Sequence, residues 1–235
     1  MFHRRLFLVS GAAALGVPLS GCGGLPALPG LLGEAEPAPR RPATRTLAKP
    51  DYANVYGEFP GEPFPIPPAP WRDIDPRFLR QTVEYPWNEP PGSIVVDPAG
   101  YHLFFVESPR VATRYGVGVG REGFGWSGQA RVNMKRNWPD WVPPAEMVAR
   151  SPEIRADLEQ TPRGLGVRGG LRSPLGARAL YIFQGDQDTL YRVHGSPEWW
   201  SIGKSVSSGC VRMINQDIVH LFTRASVGTP VTVLA

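Results

Sequence analysis

Proline is the residue that most restricts what this chain can fold into. Sixteen of its 27 prolines lie between residues 23 and 92. Each one fixes φ and removes a backbone N–H, so it ends helices and is excluded from central strands. The run Pro63-Phe-Pro-Ile-Pro-Pro-Ala-Pro70 reads as extended, polyproline-like chain that cannot build a core alone. Residues 23–89 are therefore expected to be a Pro-rich tether or N-terminal extension, and 90–235 the folded domain. The stretch of about 143 residues from Ser93 onward is long enough for one domain with a real core. Part of the extension should still pack on that domain, because Trp71, Ile74, Phe78, Leu79, Val83 and Tyr85 are too apolar for a free linker. A short helix is expected from Asp75 or Pro76 to Gln81.

Within the domain, the pattern is mainly β. Ile94–Asp97, the turn Pro98-Ala-Gly100 and Tyr101–Glu107 read as a hairpin, and Arg114–Val119 as a third strand. Ala179–Phe183 and Thr189–His194 alternate in the same way around Gly185-Asp186-Gln187-Asp188, and Val227–Leu234 closes the chain. Few helices are expected. Ser151-Pro152 suggests the start of one running to about Glu159, and Asn215 the cap of another from Gln216 to Arg224. The inner face of that second helix would carry Ile218, Val219, Leu221 and Phe222.

Residues 1–22 read as an address. A basic start with Arg4 and Arg5 precedes an apolar stretch from Leu6 to Leu19, closed by Leu19-Ser20-Gly21-Cys22. That tripartite pattern is a secretory signal, too short and Gly-interrupted to span a membrane as a helix. Arg4-Arg5-Leu6-Phe7-Leu8 resembles a twin-arginine export signal, and the final four residues resemble the lipobox of bacterial lipoproteins. These features imply a periplasmic or cell-envelope location, with a lipid anchor at Cys22 as the only membrane attachment. The alternative is an ordinary cleaved signal in which Cys22 is a bystander. The charge balance agrees with an address at this end. The first fifty residues carry six Arg/Lys against two Glu, whereas residues 51–235 carry nineteen of each sign. A nucleic-acid partner, which would need a basic excess on the folded part, is not expected.

The chemistry is concentrated in His194–Asn215, HGSPEWWSIGKSVSSGCVRMIN. A thiol is a weak nucleophile near neutrality until a base takes its proton. His194 precedes Cys210 by sixteen positions, and Cys210 stands in a Ser-Ser-Gly-Cys-Val-Arg turn whose N–H groups are suited to an oxyanion. Cys210 has no obvious disulfide partner, and four His and two Cys without ligand spacing give no metal site. No cofactor is expected. The bland alternative is a buried structural cysteine. A papain-like peptidase does not fit, since there the Cys precedes the His.

The pattern HG, about a dozen residues, then S-x-G-C-[VI]-R-[LM]-x-N resembles the L,D-transpeptidase catalytic domain of the YkuD type. So do Pro91-Gly92-Ser93-Ile94-Val-Val-Asp97, Trp138-Pro-Asp-Trp141 with Pro143, Pro144 and Met147, and Pro174-Leu-Gly-Ala-Arg-Ala-Leu-Tyr181. The resemblance covers about residues 90–235 and implies a β-sandwich-like fold acting on peptidoglycan stem peptides. Such an enzyme attacks the carbonyl of the third stem residue, usually diaminopimelate, releases D-alanine, and passes the acyl group to an amine. The acceptor is another stem, giving a 3–3 cross-link, or in some members an outer-membrane protein. Carbapenems acylate the catalytic cysteine in this family.

Carried onto this chain, the resemblance makes Cys210 the nucleophile and His194 its base. The Gly195 carbonyl would orient the imidazole, and N–H groups at Gly209 and Cys210 would hold the oxyanion. Arg212 is a candidate for a substrate carboxylate, with a salt bridge as its alternative. Tyr181 is a candidate substrate contact with a core tyrosine as its alternative, Ser208 a second candidate contact, Ser207 and Asn215 braces, and Trp199 with Trp200 a candidate wall for the stem or else ordinary loop packing. Many members carry His where this chain has Ser208, which leaves His194 as the one imidazole expected in the site. Two other readings compete: a hydrolase that uses water as acceptor, acting as carboxypeptidase or endopeptidase, and a non-catalytic wall-binding lipoprotein.

Overall fold

A computed structural model describes residues 42–121 and 126–235. The expected export signal, Cys22 and the first part of the expected tether lie outside the described residues. Fourteen strands are described: β1 Thr46–Ala48, β2 Gln81–Glu84, β3 Ile94–Asp97, β4 His102–Ser108, β5 Val111–Gly116, β6 Val119–Gly120 and β7 Gly128–Asn137. They continue with β8 Glu159–Thr161, β9 Gly164–Gly166, β10 Arg178–Gln184, β11 Gln187–Ser196, β12 Ser205–Ser207, β13 Val211–Ile214 and β14 Pro230–Val233. The α-helices are α1 Tyr52–Val55, α2 Ala145–Arg150 and α3 Asn215–Arg224.

Ten strands form one sheet in the order β1-β2-β5-β4-β3-β14-β7-β10-β11-β13. The sheet curls on itself. A single apolar cluster contains Ile94, Leu103 and Tyr115 from one half and Leu180, Val193 and Met213 from the other. Gly118 and Arg212 exchange backbone hydrogen bonds of 2.9 and 2.8 Å, which ties the chain beyond β5 to the far edge strand β13. The opposite face of β2 to β5 carries a second cluster of Val83, Tyr85, Val95, Phe104, Val106 and Ala112. The mainly β expectation is met by this arrangement, with few and short helices.

The helix α3 fills the inside of the curl. Its Ile218 and Leu221 are fully buried, each burial contributing roughly 1.5–3 kcal/mol. Phe222 is partly buried against the same cluster. Lys135 on β7 donates to the carbonyls of Phe222 and Ala225, both at 2.6 Å, and so satisfies the C-terminal end of α3.

Several expectations are corrected. The helix expected from Ser151 is a 3-10 segment, Pro152–Asp157, and Ser151 makes no side-chain cap. The helix expected at 75–81 is likewise a single 3-10 turn, Pro76–Phe78, capped by Asp75 on the Arg77 N–H. Gln81 already belongs to β2, which pairs with β5. Asn215 is not a cap. It is the first residue of α3, and its Oδ1 accepts from the Ala177 N–H at 2.9 Å instead. The strand expected from Arg114 begins earlier, at Val111, and breaks after Gly116. The strand β7, in the middle of the sheet, was not expected at all.

The described residues belong to one compact unit. Residues 46–48 and 81–84 supply two strands of the main sheet, and Tyr56, Ile66, Ile74, Phe78 and Leu79 are buried. The Pro-rich segment is fixed by specific polar contacts. Glu62 pairs with Arg178 on β10 and accepts from Trp138 Nε1 at 2.9 Å. Tyr56 donates to Asp217 Oδ2 at 3.0 Å.

Candidate active site

The edge strand β13 and its neighbour β11 position the chemistry. They run parallel, with Val193 beside Val211, His194 beside Arg212 and Gly195 beside Met213. Cys210 sits immediately before β13, so its register neighbour is Arg192. Alternation of side chains then puts His194 and Arg212 on one face of the pair. His194, Cys210, Arg212 and Ser208 all line one cleft of about 560 Å³. Trp141, Pro144 and Met147 line it too, as does Leu190, which is 75% exposed.

His194 is 4% exposed, and its Nδ1 lies 2.6 Å from the Gly195 carbonyl oxygen. A carbonyl can only accept, so Nδ1 carries the proton and Nε2 is the basic atom of the neutral ring. Burial pushes the imidazole down to about 4, against the upward pull of the Gly195 hydrogen bond; Arg212 and Arg192 lower it further. Burial likewise pushes the Cys210 thiol up from its ordinary range, opposed by the Arg192 backbone N–H and by the Arg192 and Arg212 charges. The resting pair is therefore a neutral thiol and a neutral imidazole.

The turn before Cys210 is built by Ser207. Its Oγ donates to the Cys210 carbonyl at 2.6 Å and accepts from the Gly209 N–H at 3.2 Å. Gly209 has φ of +117°, a conformation that a side chain would strain. The expectation that both Gly209 and Cys210 offer free N–H groups is thus corrected for Gly209, whose N–H is already given to Ser207. Gly209 lines a separate apolar cavity of about 60 Å³ behind the turn.

Arg212 is in the cleft, with one Nη bonded to Glu198, which also lines it. Tyr181 does not reach the cleft. It lies beside Arg192 in the β10–β11 ladder and is 4% exposed. The Arg192 guanidinium covers its ring at 4.2 Å, and Arg163 donates to its hydroxyl at 3.1 Å. Trp199 and Trp200 do not line the cleft either: Trp199 packs with Phe78 and Ile202, and Trp200 is 54% exposed. His102 and His220 lie elsewhere, the first near the Arg77 carbonyl at 3.2 Å and the second 2.7 Å from the Tyr115 hydroxyl.

Two residues that the sequence did not single out matter here. Glu198 anchors Arg212. Arg192 is held by both oxygens of Asp188, at 2.7 and 2.8 Å, and lies beside Cys210. Asp188 also accepts from the N–H of Leu190, which adopts φ of +63° at the cleft mouth. The i, i+4 spacing of Asp188 and Arg192 around a hairpin was the available signal. Among the described residues, no cluster of His, Cys, Asp and Glu could hold a metal ion.

A family model described as YkuD, the L,D-transpeptidase catalytic domain, matches residues 91–233. The chain belongs to this family. A probable L,D-transpeptidase of Escherichia coli K12, YbiS, is 35% identical over 143 residues, covering 59% of this chain and 43% of its own length. A putative L,D-transpeptidase of Bacillus subtilis 168, YqjB, is 42% identical over 66 residues, covering 28% and 38%. The chain thus spans less than half the length of these curated relatives. A solved Brucella melitensis protein described as a probable carnitine operon oxidoreductase is 43% identical, covering 66% of this chain and 93% of its own, with a TM-score of 0.46. A Mycobacterium smegmatis L,D-transpeptidase structure is 20% identical, covering 60% and 58%, with a TM-score of 0.43. The YkuD match takes in both strands that carry the site, and residues 42–89, which lie outside it, complete the sheet and the packing behind α3.

Proposed function

We propose that this chain is a peptidoglycan L,D-transpeptidase of the cell envelope with Cys210 as its nucleophile. The observation that carries the reading is the placement of Cys210 and His194 in one cleft, with His194 Nδ1 committed to the Gly195 carbonyl. The basic Nε2 is then the atom that receives the thiol proton as Sγ attacks the carbonyl carbon of the third stem residue. Collapse of the tetrahedral intermediate breaks the bond to D-alanine, whose nitrogen takes the proton back from Nε2. A thioester remains. An acceptor amine attacks it, Nε2 accepts the amine proton, and the restored thiolate recovers that proton.

The oxyanion falls to the Cys210 N–H, joined by the Gly209 N–H if it leaves its 3.2 Å partner Ser207. Arg212 has one Nη tied to Glu198 and offers its remaining donors to a substrate carboxylate. Ser208, at the cleft surface, is a contact for the stem. The acceptor is the amine of a second stem or of an outer-membrane protein, and export through the N-terminal signal, with or without a lipid at Cys22, brings the enzyme to that substrate.

Incubation with a diaminopimelate-containing disaccharide-tetrapeptide tests the proposal by its products. D-Alanine release with a cross-linked dimer is expected. Release with only free tripeptide would replace the transferase by a hydrolase, and no turnover would favour a wall-binding role.

A further inference from the structure

We propose that the cavity bounded by residues 42–44, the 76–78 turn and strands β3 to β5 is a second binding site, which takes a small molecule bearing a carboxylate or phosphate. The cavity measures about 360 Å³ and is distinct from the Cys210 cleft, with which it shares no lining residue. Arg114 forms part of its wall. This side chain is 8% exposed and has no carboxylate within ion-pair distance among the described residues. Its guanidinium donates only to neutral oxygens, Thr44 Oγ1 at 3.2 Å and the Arg77 carbonyl at 3.3 Å. Its Nε–H is buried without any partner.

A buried guanidinium that lacks a counter-charge is expensive to keep, and such groups are normally paired. Among the described residues the other buried arginine, Arg80, does meet a carboxylate: its Nη1 is 3.7 Å from Asp217 Oδ1. Arg114 is the exception, and it stands at a cavity. The remaining charged groups of the lining fit an anion. Arg77 is cationic, although its guanidinium is shared with Asp75 at the surface. His102 is neutral above about pH 4, because burial and the Arg114 charge hold its imidazole down. Asp97 opposes an anion, but its Oδ1 is already engaged by the Gly100 N–H at 3.0 Å. The lining therefore keeps a net positive charge. Phe78, Phe104 and Tyr101 add an apolar wall, so the ligand is a compact anion with some apolar surface rather than a polyanion.

Isothermal titration of the full chain tests this, with inorganic phosphate and sodium benzoate as probes at constant ionic strength in chloride. Saturable one-to-one binding is expected for at least one probe. It should persist in Arg212→Gln, which separates this site from the catalytic cleft. It should weaken at least tenfold in Arg114→Gln and also in Thr44→Val, which removes a hydroxyl from the cavity wall near the start of the described chain. Thr44→Val decides the matter if Arg114→Gln does not fold. Absence of saturable binding by either probe, binding that is unchanged in Thr44→Val and Arg114→Gln, or binding lost in Arg212→Gln would overturn the proposal.

Discussion

The rate of alkylation of Cys210 by iodoacetamide, followed against pH, tests the resting protonation state on which the proposed mechanism depends. Burial holds His194 near 4 and raises Cys210 above its ordinary 9.0. Moving the proton from sulfur to Nε2 crosses a gap of at least five pH units, which costs about 7 kcal/mol. Attraction between the charges so formed returns at most about 4 kcal/mol at contact distance near a protein surface. The deficit of about 3 kcal/mol leaves the thiolate–imidazolium pair in roughly one molecule in a hundred or fewer. The rate at pH 6–7 should accordingly be no more than about a hundredth of its high-pH limit, and should climb steeply above pH 7 as free thiolate overtakes the ion pair. His194→Ala should reach the same high-pH limit and lose only the small rate that the ion pair contributes below pH 7. Mass spectrometry of the Cys210 peptide gives the rate at each pH. A rate at pH 6–7 within a few-fold of the high-pH limit, and lost in His194→Ala, would establish a preformed ion pair as the main resting form and refute the reasoning.

Other expectations follow from packing and burial. Gly195→Ala would drive a methyl group into Asn215 Oδ1 and Ile218, and should cost about 1–3 kcal/mol in urea unfolding while also lowering turnover through displacement of the carbonyl that orients His194. Ser208→His should leave turnover within the same order of magnitude, because Ser208 lies on the cleft surface and bonds none of the residues that build the turn. Asp217 is held up at about 6 by burial, against Arg80 and Tyr56, which lower it. Its folded value lies above the ordinary 3.8, so its contribution to stability is full below pH 3.8 and is lost as pH rises through 6. Wild type should therefore lose about 2 kcal/mol relative to Asp217→Asn between pH 4 and 7, as read from paired urea titrations. A parallel pH dependence in the two proteins would contradict this.

The segment that carries the candidate site was legible because its information is local. A histidine, a glycine-containing turn and a cysteine are read from spacing alone, and the strands β3, β4, β10 and β11 announce themselves by apolar alternation. What stayed hidden depends on distant partners. Strand β7 is a central strand, yet Val132 is its one fully buried residue, and its charged side chains disguise the alternation of Ala130, Val132 and Met134. Tyr181 was read on the right strand, β10, with a place near substrate and a place in the core both open. It is removed from the cleft by Arg163 and Arg192, and no spacing reveals a guanidinium lying over a ring. Asn215 has the chemistry of a helix cap, but its side chain is taken by a backbone N–H 38 positions away. The Pro-rich stretch shows the same effect: prolines exclude central strands, but two short strands, β1 and β2, fit between them at the sheet edge.

The central claim is that Cys210 forms the acyl bond, and an intact-mass measurement addresses it directly. The full chain is mixed with disaccharide-tetrapeptide in the absence of acceptor, quenched in acid and digested. The account predicts a mass increase equal to the disaccharide-tripeptide acyl group, located on the peptide that contains Cys210 and missing from Cys210→Ala. An adduct on another residue, or D-alanine release that survives in Cys210→Ala, would contradict it.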